Sequence, residues 1–259
     1  MLNPAEGERS EMKKAQFRFY EELNDFLPEN RKKVPFQYAF MGRPSVKDAI
    51  EALGVPHTEI DLILVNGTSV DFSHKLNDGD IVSVYPLFES LDISPVTRLR
   101  AKALRETRFI LDAHLGRLAK HLRLCGFDCL FNNHYSDPEI IDIALDKGRI
   151  ILTRDRALLM NSRVSHAYWI RSQDPREQLK EVIIRFDLKG MVNMFTRCME
   201  CNTALEEVDK KDIEDRLQPG TRRYFQEFKL CPGCQRIYWK GTHYQDMLKF
   251  IDNIIKDIS

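Results

Sequence analysis

The chain has 259 residues, of which 43% are hydrophobic and 30% charged, a composition typical of soluble globular proteins. Lysine plus arginine and aspartate plus glutamate number 39 each, so the net charge gives no general attraction to nucleic acid, and only a local patch can bind it. No apolar run approaches the ~18 residues of a membrane span, and the N-terminus lacks the apolar segment of a signal peptide. We therefore expect a cytoplasmic protein of two or three domains without membrane contact.

The first predicted domain spans residues 15–90 and follows a leader, residues 1–14, that we expect to be disordered. Two strand-like segments, AQFRFY and VPFQYAFM, flank a polar loop. Ser45 and Asp48 form a capping-box pattern before a short helix, VKDAIEAL, which Gly54 ends. An Asn-Gly turn inside DLILVNGTSVDF predicts a hairpin, and DGDIVSVYP predicts the last strand.

This order of elements is that of a β-grasp fold. The segment VNGTSVDFSHKLNDGDIVSVYP closely resembles the sulfur-carrier proteins of thiamin and molybdopterin synthesis, within the ubiquitin-like superfamily. Those carriers need a free C-terminal Gly-Gly, whereas here the strand continues into LFESLD. We therefore expect a ubiquitin-like module that docks a protein partner and carries no sulfur.

Residues 91–107 are polar and locally basic, with Arg98, Arg100, Lys102 and Arg105 close together. Two interpretations stand: a solvated linker helix, or an arm that faces RNA. The sequence favours the linker, because charge runs between domains are usually solvated.

Between residues 108 and 190, short apolar strands alternate with helices, which predicts a mainly parallel sheet covered on both faces. The strands are FILD, FDCLF, RIILT and HAYWI, and the helices are LGRLAKHLRLCG, EIIDIALDKG and QLKEVIIRF. The first helix has an apolar face and presents Arg117, Lys120 and Arg123 on the opposite face. Asp137 stands directly before a proline, as an N-cap precedes a proline at the first helical position.

Two acids fall at the carboxyl ends of predicted strands: Asp112 after FIL, and Asp155 shortly after RIILT. In open α/β sheets ligands collect at that edge. Carboxylates that face each other there repel unless a divalent cation neutralises them, and Mg²⁺ and Mn²⁺ prefer oxygen ligands. Such a cluster can hold phosphate oxygens and activate water for phosphodiester cleavage. Because aspartate also ends strands and caps helices, the residues alone leave both interpretations open.

The last segment, residues 191–259, contains two Cys-x-x-Cys pairs. Cys198, Cys201, Cys231 and Cys234 present four thiolates, the donor set of a closed tetrahedral zinc site. A redox role is possible for one such pair, but two pairs favour structural zinc. We therefore predict a zinc ribbon followed by a C-terminal helix.

Two other features of the chain leave alternatives. Cys125 and Cys129 have no partner motif, and we expect them to be buried small residues. The segment RIYWKGTHY, which includes His243, interleaves basic and aromatic residues. Its rings either stack on unpaired nucleotides or pack against the ribbon, and His243 is expected to be structural or to contact RNA and not to bind the metal.

The succession FILDAHLGRLAKHLRLCGFDCLF, SDPEIIDIALDKGRIILTRDRALL, RCMECN and CPGCQRIYWKGTH resembles the Mut-seven C-terminal RNase family, a PIN-like nuclease domain fused to a zinc ribbon. Together with the ubiquitin-like domain that often precedes it, the resemblance covers residues of about 15 to 247. It implies a PIN-like three-layer α/β/α sandwich and metal-dependent RNA cleavage. The implied cofactors are a structural zinc ion and a catalytic Mg²⁺ or Mn²⁺ ion.

The resemblance also implies roles for individual acids. Asp112 matches the acid of the family's first strand, and Asp155 matches the acid of its Thr-Arg-Asp motif. Asp137 matches a further acidic position, although a simple helix cap explains it equally well. Glu139 is a reserve ligand one turn inside the same helix, and Asp174 is a fourth acid by position alone.

Basic residues near these acids are candidate RNA contacts. Arg117 and Arg154 are candidate phosphate contacts, although exposed helix arginines are more often only solvated. Lys120 and Arg123 extend the basic helix face. Arg156 departs from the pattern, because related PIN-like proteins often have another acid there. Two functions remain: a metal-dependent ribonuclease, or a non-catalytic adaptor that binds RNA or protein and keeps the fold and the structural zinc.

Overall fold

The computed structural model describes residues 11–86, 99 and 107–258. The chain forms two compact units, of which one contains an N-terminal β-sheet domain and the other contains a parallel sheet and a four-cysteine cluster. The four basic residues of the predicted linker, residues 91–107, lie outside the described residues. Within the described ranges, no helix is long and apolar enough to cross a bilayer.

The N-terminal domain is a five-stranded sheet with one α-helix. Its elements are β1 (Lys13–Phe19), β2 (Phe36–Phe40), α1 (Val46–Ala52), β3 (Ile60–Val65), β4 (Thr68–Ser69) and β5 (Ile81–Pro86). The strand order is β2-β1-β5-β3-β4, and β1 pairs with β2 antiparallel and with β5 parallel. This arrangement is the predicted β-grasp fold.

Local sequence signals position the helix and the hairpin of this domain. Ser45 and Asp48 exchange two side-chain-to-backbone hydrogen bonds of 3.1 Å, which form the predicted capping box at the start of α1. Asn66 and Gly67 both have positive φ, at 52° and 79°, and make the tight turn between β3 and β4. Both signals are confirmed because each is satisfied within a few residues of chain.

Two parts of this domain differ from the prediction. β1 begins at Lys13, inside the predicted leader, and residues 1–10 lie outside the described residues. The segment between β1 and β2 is not a purely polar loop, since it forms two 3-10 helices, Glu21–Phe26 and Glu29–Arg31. Leu23 in the first of them is fully buried, so burial of apolar side chains holds this connection against the sheet.

The second unit begins with a four-stranded parallel sheet in the order β7-β6-β8-β9. Its elements are β6 (Phe109–Leu111), α2 (Gly116–Leu124), β7 (Cys129–Phe131), α3 (Asp137–Lys147), β8 (Ile150–Thr153), α4 (Arg156–Leu159), β9 (Ala167–Trp169) and α5 (Pro175–Arg185). The four strands and three of the four helices were predicted from the alternation of apolar segments. The short helix α4 was not.

The ribbon follows as a three-stranded antiparallel sheet in the order β10-β11-β12. Its elements are β10 (Glu206–Val208), α6 (Lys210–Ile213), α7 (Pro219–Tyr224), β11 (Phe228–Leu230) and β12 (Ile237–Trp239), and the C-terminal helix is α8 (Thr242–Asp257). The ribbon has its own small core, formed by Ile213, Leu217 and Phe228.

Two helical layers cover the parallel sheet. Phe109 and Leu111 of β6 face a core that is shared with α2, α5 and α8, to which the last helix contributes Ile251 and Ile254. Ile110 points to the opposite face, because side chains alternate along a strand, and α3 lies over β6 and β8 on that side. The three-layer α/β/α sandwich is confirmed. The sequence assigned α8 to the ribbon segment, but the helix packs on the sheet domain.

The start of α3 differs from the prediction that Asp137 caps it. Ser136 is the N-cap: its hydroxyl and backbone N–H both contact the carboxylate of Glu139, at 2.7 and 2.8 Å. Asp137 is instead the first helical residue, and Pro138 follows it. A serine with a glutamate three residues later satisfies two backbone donors at once, which a capping aspartate alone does not.

Candidate active site and candidate metal centre

A buried carboxylate, Asp112, lies directly after β6. It is 5% exposed, and it accepts hydrogen bonds from the backbone N–H of His114 at 2.8 Å, from the backbone N–H of Arg154 at 3.0 Å and from the hydroxyl of Thr153. Three donors satisfy its buried oxygens and hold the side chain in one orientation. Asp112 therefore connects β6 to the end of β8.

Thr153, the last residue of β8, links the two predicted catalytic acids. Its buried hydroxyl donates to Asp112 Oδ2 and accepts the backbone N–H of Asp155 at 2.8 Å. Asp155 is exposed, and its Oδ1 accepts the N–H of Ala157 at 2.7 Å, where α4 begins. Sequence reasoning missed Thr153 as a site residue, although its place at a strand end in the Thr-Arg-Asp motif was a usable signal.

Asp112 and Asp155 lie at the carboxyl ends of two adjacent parallel strands. The chain leaves β6 toward β7 on one side of the sheet, and it leaves β8 toward β9 on the other side. Connections that diverge in this way open a crevice between the two strands, and open α/β sheets bind their ligands there. The two acids are therefore at the position in this sheet where a ligand is expected.

The other predicted acids lie at helix starts. Glu139 is exposed, and the hydrogen bonds from the Ser136 backbone and hydroxyl lower the pKa of its carboxyl. Asp137 is exposed in the first turn of α3, the helix that follows β7 in the chain. Asp174 caps α5 by accepting two backbone N–H groups. Glu139 and Asp174 thus have structural partners in the fold, whereas Asp137 faces solvent.

The predicted RNA contacts differ in exposure. Arg117 is exposed on α2, and Lys120 on the same helix is exposed and pairs with Glu200 at 3.0 Å. Arg154 is half-buried and donates to a backbone carbonyl at 2.8 Å. Arg123 is 3% exposed and donates to three backbone carbonyls, so it cannot reach a phosphate. The prediction that Arg123 contacts RNA is wrong.

A groove of about 490 Å³ opens at the same edge of the sheet. Its walls include His114, Arg117, Lys120, Phe131, Asn133 and Gln178. Residues that follow β6 and β7 contribute to it, together with the start of α5, so it lies at the carboxyl edge near the loop that follows Asp112. The proposed acids, Asp112, Asp137, Glu139 and Asp155, are not among its lining residues. It combines positive charge with one aromatic face, the two features with which proteins hold single-stranded nucleic acid.

The four cysteines lie on two turns of the ribbon, and their sulfurs all lie within 4.8 Å of one another. The sulfur of Cys198 is 3.5 Å from that of Cys234, and the sulfur of Cys201 is 3.3 Å from that of Cys231. A tetrahedral zinc ion with Zn–S bonds of about 2.3 Å separates its sulfurs by about 3.8 Å, so the cluster can hold zinc. Burial raises the pKa of Cys201, but hydrogen bonds with Thr203, Cys231 and Cys198 outweigh it and lower the pKa to about 6. Burial raises the pKa of Cys231 and that of Cys234, the latter to about 12.

Within residues 11–86 and 107–258, this cluster is the one group of three or more His, Cys, Asp or Glu side chains placed to share a metal ion. His243 is exposed and lies outside it. Asp112, Asp137 and Asp155 are not placed close enough to surround a metal ion by themselves. A cation bound at this edge would take most of its ligands from water or substrate.

Two family models match this chain, one for each of two segments. Residues 107–251, more than half of the 259 residues, match the family model described as the Mut7-C RNAse domain. The chain belongs to the Mut7-C RNAse domain family. Residues 12–92 match the Mut7-C ubiquitin model. No curated protein and no solved structure matches the chain.

The Mut7-C RNAse domain of this chain includes the parallel sheet, both cysteine turns and part of α8. Arg123 joins the sheet to the first of the two cysteine turns. Its guanidinium donates to the carbonyl of Cys129 in β7 at 2.9 Å. It also donates to the carbonyls of Met199 and Glu200, in the first cysteine turn, at 3.1 and 2.8 Å. The buried charge thus holds the turn of Cys198 and Cys201 against the edge of the sheet.

Asn202 adds a second connection in the same Mut7-C RNAse domain. Its side chain accepts the N–H of Cys129 and donates to Asp128, both at 2.9 Å, and Asp128 also pairs with Arg149 at 2.7 Å. Burial raises the pKa of Asp128, but the hydrogen bonds from Arg149 and Asn202 outweigh it and lower the pKa. The pKa of Cys125 and that of Cys129 are both raised to about 12. Burial is the sole cause for Cys125 and the main cause for Cys129. The prediction that these two cysteines are buried is confirmed.

Proposed function

We propose that this chain is a ribonuclease that cleaves RNA phosphodiester bonds with a Mg²⁺ or Mn²⁺ ion held at Asp112 and Asp155. The observation that carries the proposal is the placement of these carboxylates, linked through Thr153, at the diverging strands of a Mut7-C RNAse domain. Ligands of open α/β sheets bind at that position.

The residues at this edge fit a hard cation. Mg²⁺ keeps several waters and is usually held by one or two carboxylates together with substrate phosphates, so it needs no closed cage of protein ligands. Asp112 is held in one orientation, and Asp155 uses one oxygen to cap α4 and has a second one for a cation. Asp137 is the third proposed acid, and Glu139 is a reserve ligand that must first leave Ser136.

Asp112 and Asp155 would hold the divalent cation, which when bound would supply an activated water and neutralise phosphate charge. Arg117 and Arg154 would bind the phosphates beside it. Lys120 joins them, because an exposed ion pair such as its contact with Glu200 contributes only about 0–1 kcal/mol and is readily exchanged. The groove beside Asp112 is the proposed path of the RNA.

A specific observation favours a second candidate, a non-catalytic adaptor that binds RNA or protein. The Asp112 carboxylate has three hydrogen-bond donors, so its burial is satisfied without any cation. Arg156 stands beside Asp155 with its guanidinium 4.2 Å from the ring centroid of Trp169, which adds positive charge where a further acid would help a metal. RNA binding without cleavage is the result that this candidate predicts.

For the four-cysteine cluster we propose one zinc ion with a structural role. Four thiolates complete a tetrahedral shell and leave no position for a substrate or a reactive water. The support is the spacing of the four sulfurs, which suits thiolate ligands.

For the ubiquitin-like domain we propose a docking role toward a protein partner. β5 ends at Pro86 and the chain continues, so no free Gly-Gly terminus follows the last strand for sulfur loading. A cytoplasmic location, expected from the sequence, is part of the same proposal.

The test is a cleavage assay on mixed single-stranded RNAs with Mg²⁺ or Mn²⁺, with Asp112→Asn beside the wild type. We expect cation-dependent cleavage by the wild type and its loss in the variant. Because Asp112 also accepts three hydrogen bonds, circular dichroism of the variant must match the wild type before the loss is assigned to the site. A wild type that binds RNA without cutting it replaces the ribonuclease with the adaptor.

A further inference from the structure

A second cavity, of about 550 Å³, opens in the ribbon between α7, β12 and the start of α8. Its walls include Phe195, Tyr224, Phe225, Tyr238, Trp239 and Tyr244. Cavities that hold small ligands usually measure about 300–1,000 Å³ and are lined by aromatic side chains with a few polar groups. The hydroxyls of Thr221 and Thr242 and the imidazole of His243 are the polar groups here.

The aromatic lining combines rings that pack on the ribbon core with one exposed ring. Trp239 is half-buried, packs against Phe228 of that core at 6.5 Å between ring centroids, and also lines the cavity. Tyr224 at the rim is 71% exposed, and the guanidinium of Arg223 lies 5.5 Å from its ring centroid. A large exposed ring beside a cation and over a cavity offers a face on which a planar ligand can stack.

The charge around the cavity favours an anionic ligand. The cavity lining contains no aspartate or glutamate, and residues 219–244, which supply most of it, contain five basic residues and one glutamate. The basic residues are Arg222, Arg223, Lys229, Arg236 and Lys240. Arg222 pairs with Glu214 and Lys240 pairs with Glu227, so Arg223, beside Tyr224, is the cation that we assign to a phosphate.

The start of α8 adds backbone donors at the same place. α8 is 16 residues long, its N-cap Gly241 has no side-chain hydrogen bond to offer, and its first turn contains no acid. The first N–H groups of a helix lack intrahelical partners and favour a phosphate. Thr242 and His243, which carry these groups, also line the cavity.

We propose that this cavity is a base-binding subsite for single-stranded RNA. One unpaired base stacks on Tyr224 against the wall formed by Trp239, and the adjoining phosphate lies at the start of α8 near Arg223. The inference rests on the proposed function for its substrate class, RNA, but it does not require cleavage. Of the segment RIYWKGTHY, it assigns Trp239 to the wall against which the base stacks, in line with one of the two alternatives that the sequence leaves open.

The test measures binding of a labelled single-stranded RNA by fluorescence anisotropy, without Mg²⁺ or Mn²⁺, beside a fully abasic RNA of equal length. Stacking on one base contributes about 1–3 kcal/mol, so Tyr224→Ala should bind the intact RNA about 5- to 150-fold more weakly. The matched variant Tyr224→Phe keeps the ring and should bind like the wild type. Arg223→Gln should weaken binding of both RNAs equally and reduce the salt dependence by about 0.7 in slope.

Wild-type affinity of Tyr224→Ala for intact RNA would overturn the inference and leave the cavity to an apolar side chain of a protein partner. Equal binding of intact and abasic RNA by the wild type would overturn it as well. Cleavage is scored separately. A wild type that cuts no RNA but shows the Tyr224 effect keeps this inference and loses the ribonuclease, and cutting without the Tyr224 effect does the reverse.

Discussion

Arg123→Met tests whether a buried guanidinium fastens the first cysteine turn to β7. Methionine keeps much of the apolar volume but leaves the carbonyls of Cys129, Met199 and Glu200 without their donor. A hydrogen bond to a charged group contributes about 1.5–3 kcal/mol. The cost of burying the guanidinium charge offsets part of the combined contribution of the three hydrogen bonds. We expect the free energy of unfolding to fall by about 2–4 kcal/mol, a large share of a typical 5–15 kcal/mol.

Fluorescence-monitored thermal unfolding measures this loss, because both tryptophans, Trp169 and Trp239, lie in the same compact unit as Arg123. For a unit of about 150 residues, 1 kcal/mol corresponds to about 2–4 °C, so the expected decrease in Tm is about 4–16 °C. Arg117→Met is the matched control on the same helix; Arg117 is exposed, and its loss should change stability by no more than about 0.5 kcal/mol. Equal Tm values for the two variants would refute the proposed role of Arg123.

Three further predictions concern the metal, the ubiquitin-like domain and pH. Elemental analysis should find about one zinc per chain, and Cys231→Ser should lose it and loosen the ribbon, because metal binding there is also folding energy; metal-free reduced protein would contradict this. Removal of residues 1–90 should leave a folded remainder that binds zinc, and mass spectrometry should find no thiocarboxylate or adenylate on the full chain. Hydrogen bonds from Ser45 lower the pKa of Asp48 from its usual value of 3.8. The stabilisation of α1 by this carboxylate is therefore fully present above pH 3.8 and is lost as the pH falls through the lowered pKa. An NMR titration should place that pKa below 3.8 in the wild type and nearer 3.8 in Ser45→Ala.

The parts of the fold that short-range signals specify were predictable. Ser45 with Asp48 and the Asn66-Gly67 turn each satisfy their own backbone within a few residues, and the two Cys-x-x-Cys pairs carry their ligand chemistry in their spacing. The ends of parallel strands meet at one edge, so topology alone predicts that Asp112 and Asp155 lie at the same edge of the sheet.

Features that depend on distant residues were not predictable from periodicity. Arg123 shares the helical spacing of Arg117 and Lys120, and only its carbonyl partner at Met199, 76 residues later, shows that it is buried. Ile251 belongs to the sheet core for the same kind of reason, since its amphipathic helix gives no indication of which domain it covers. Thr153 was missed because its role lies in a hydrogen bond to the carboxylate of Asp112, 41 residues earlier in the chain.

Asp155→Asn tests the central claim most directly, because Asp155 is exposed and asparagine can still cap α4, so the fold should survive. The measurement is RNA cleavage with Mn²⁺ or Mg²⁺, followed by analysis of the product ends. The control is Asp146→Asn, which changes an exposed acid near the C-terminal end of α3. We expect cleavage to fall by orders of magnitude in Asp155→Asn, to stay at the wild-type rate in the control, and to leave 3′-hydroxyl and 5′-phosphate ends. Cleavage that persists in chelator, or products with 2′,3′-cyclic phosphate, would contradict a carboxylate-held cation as the source of the nucleophile.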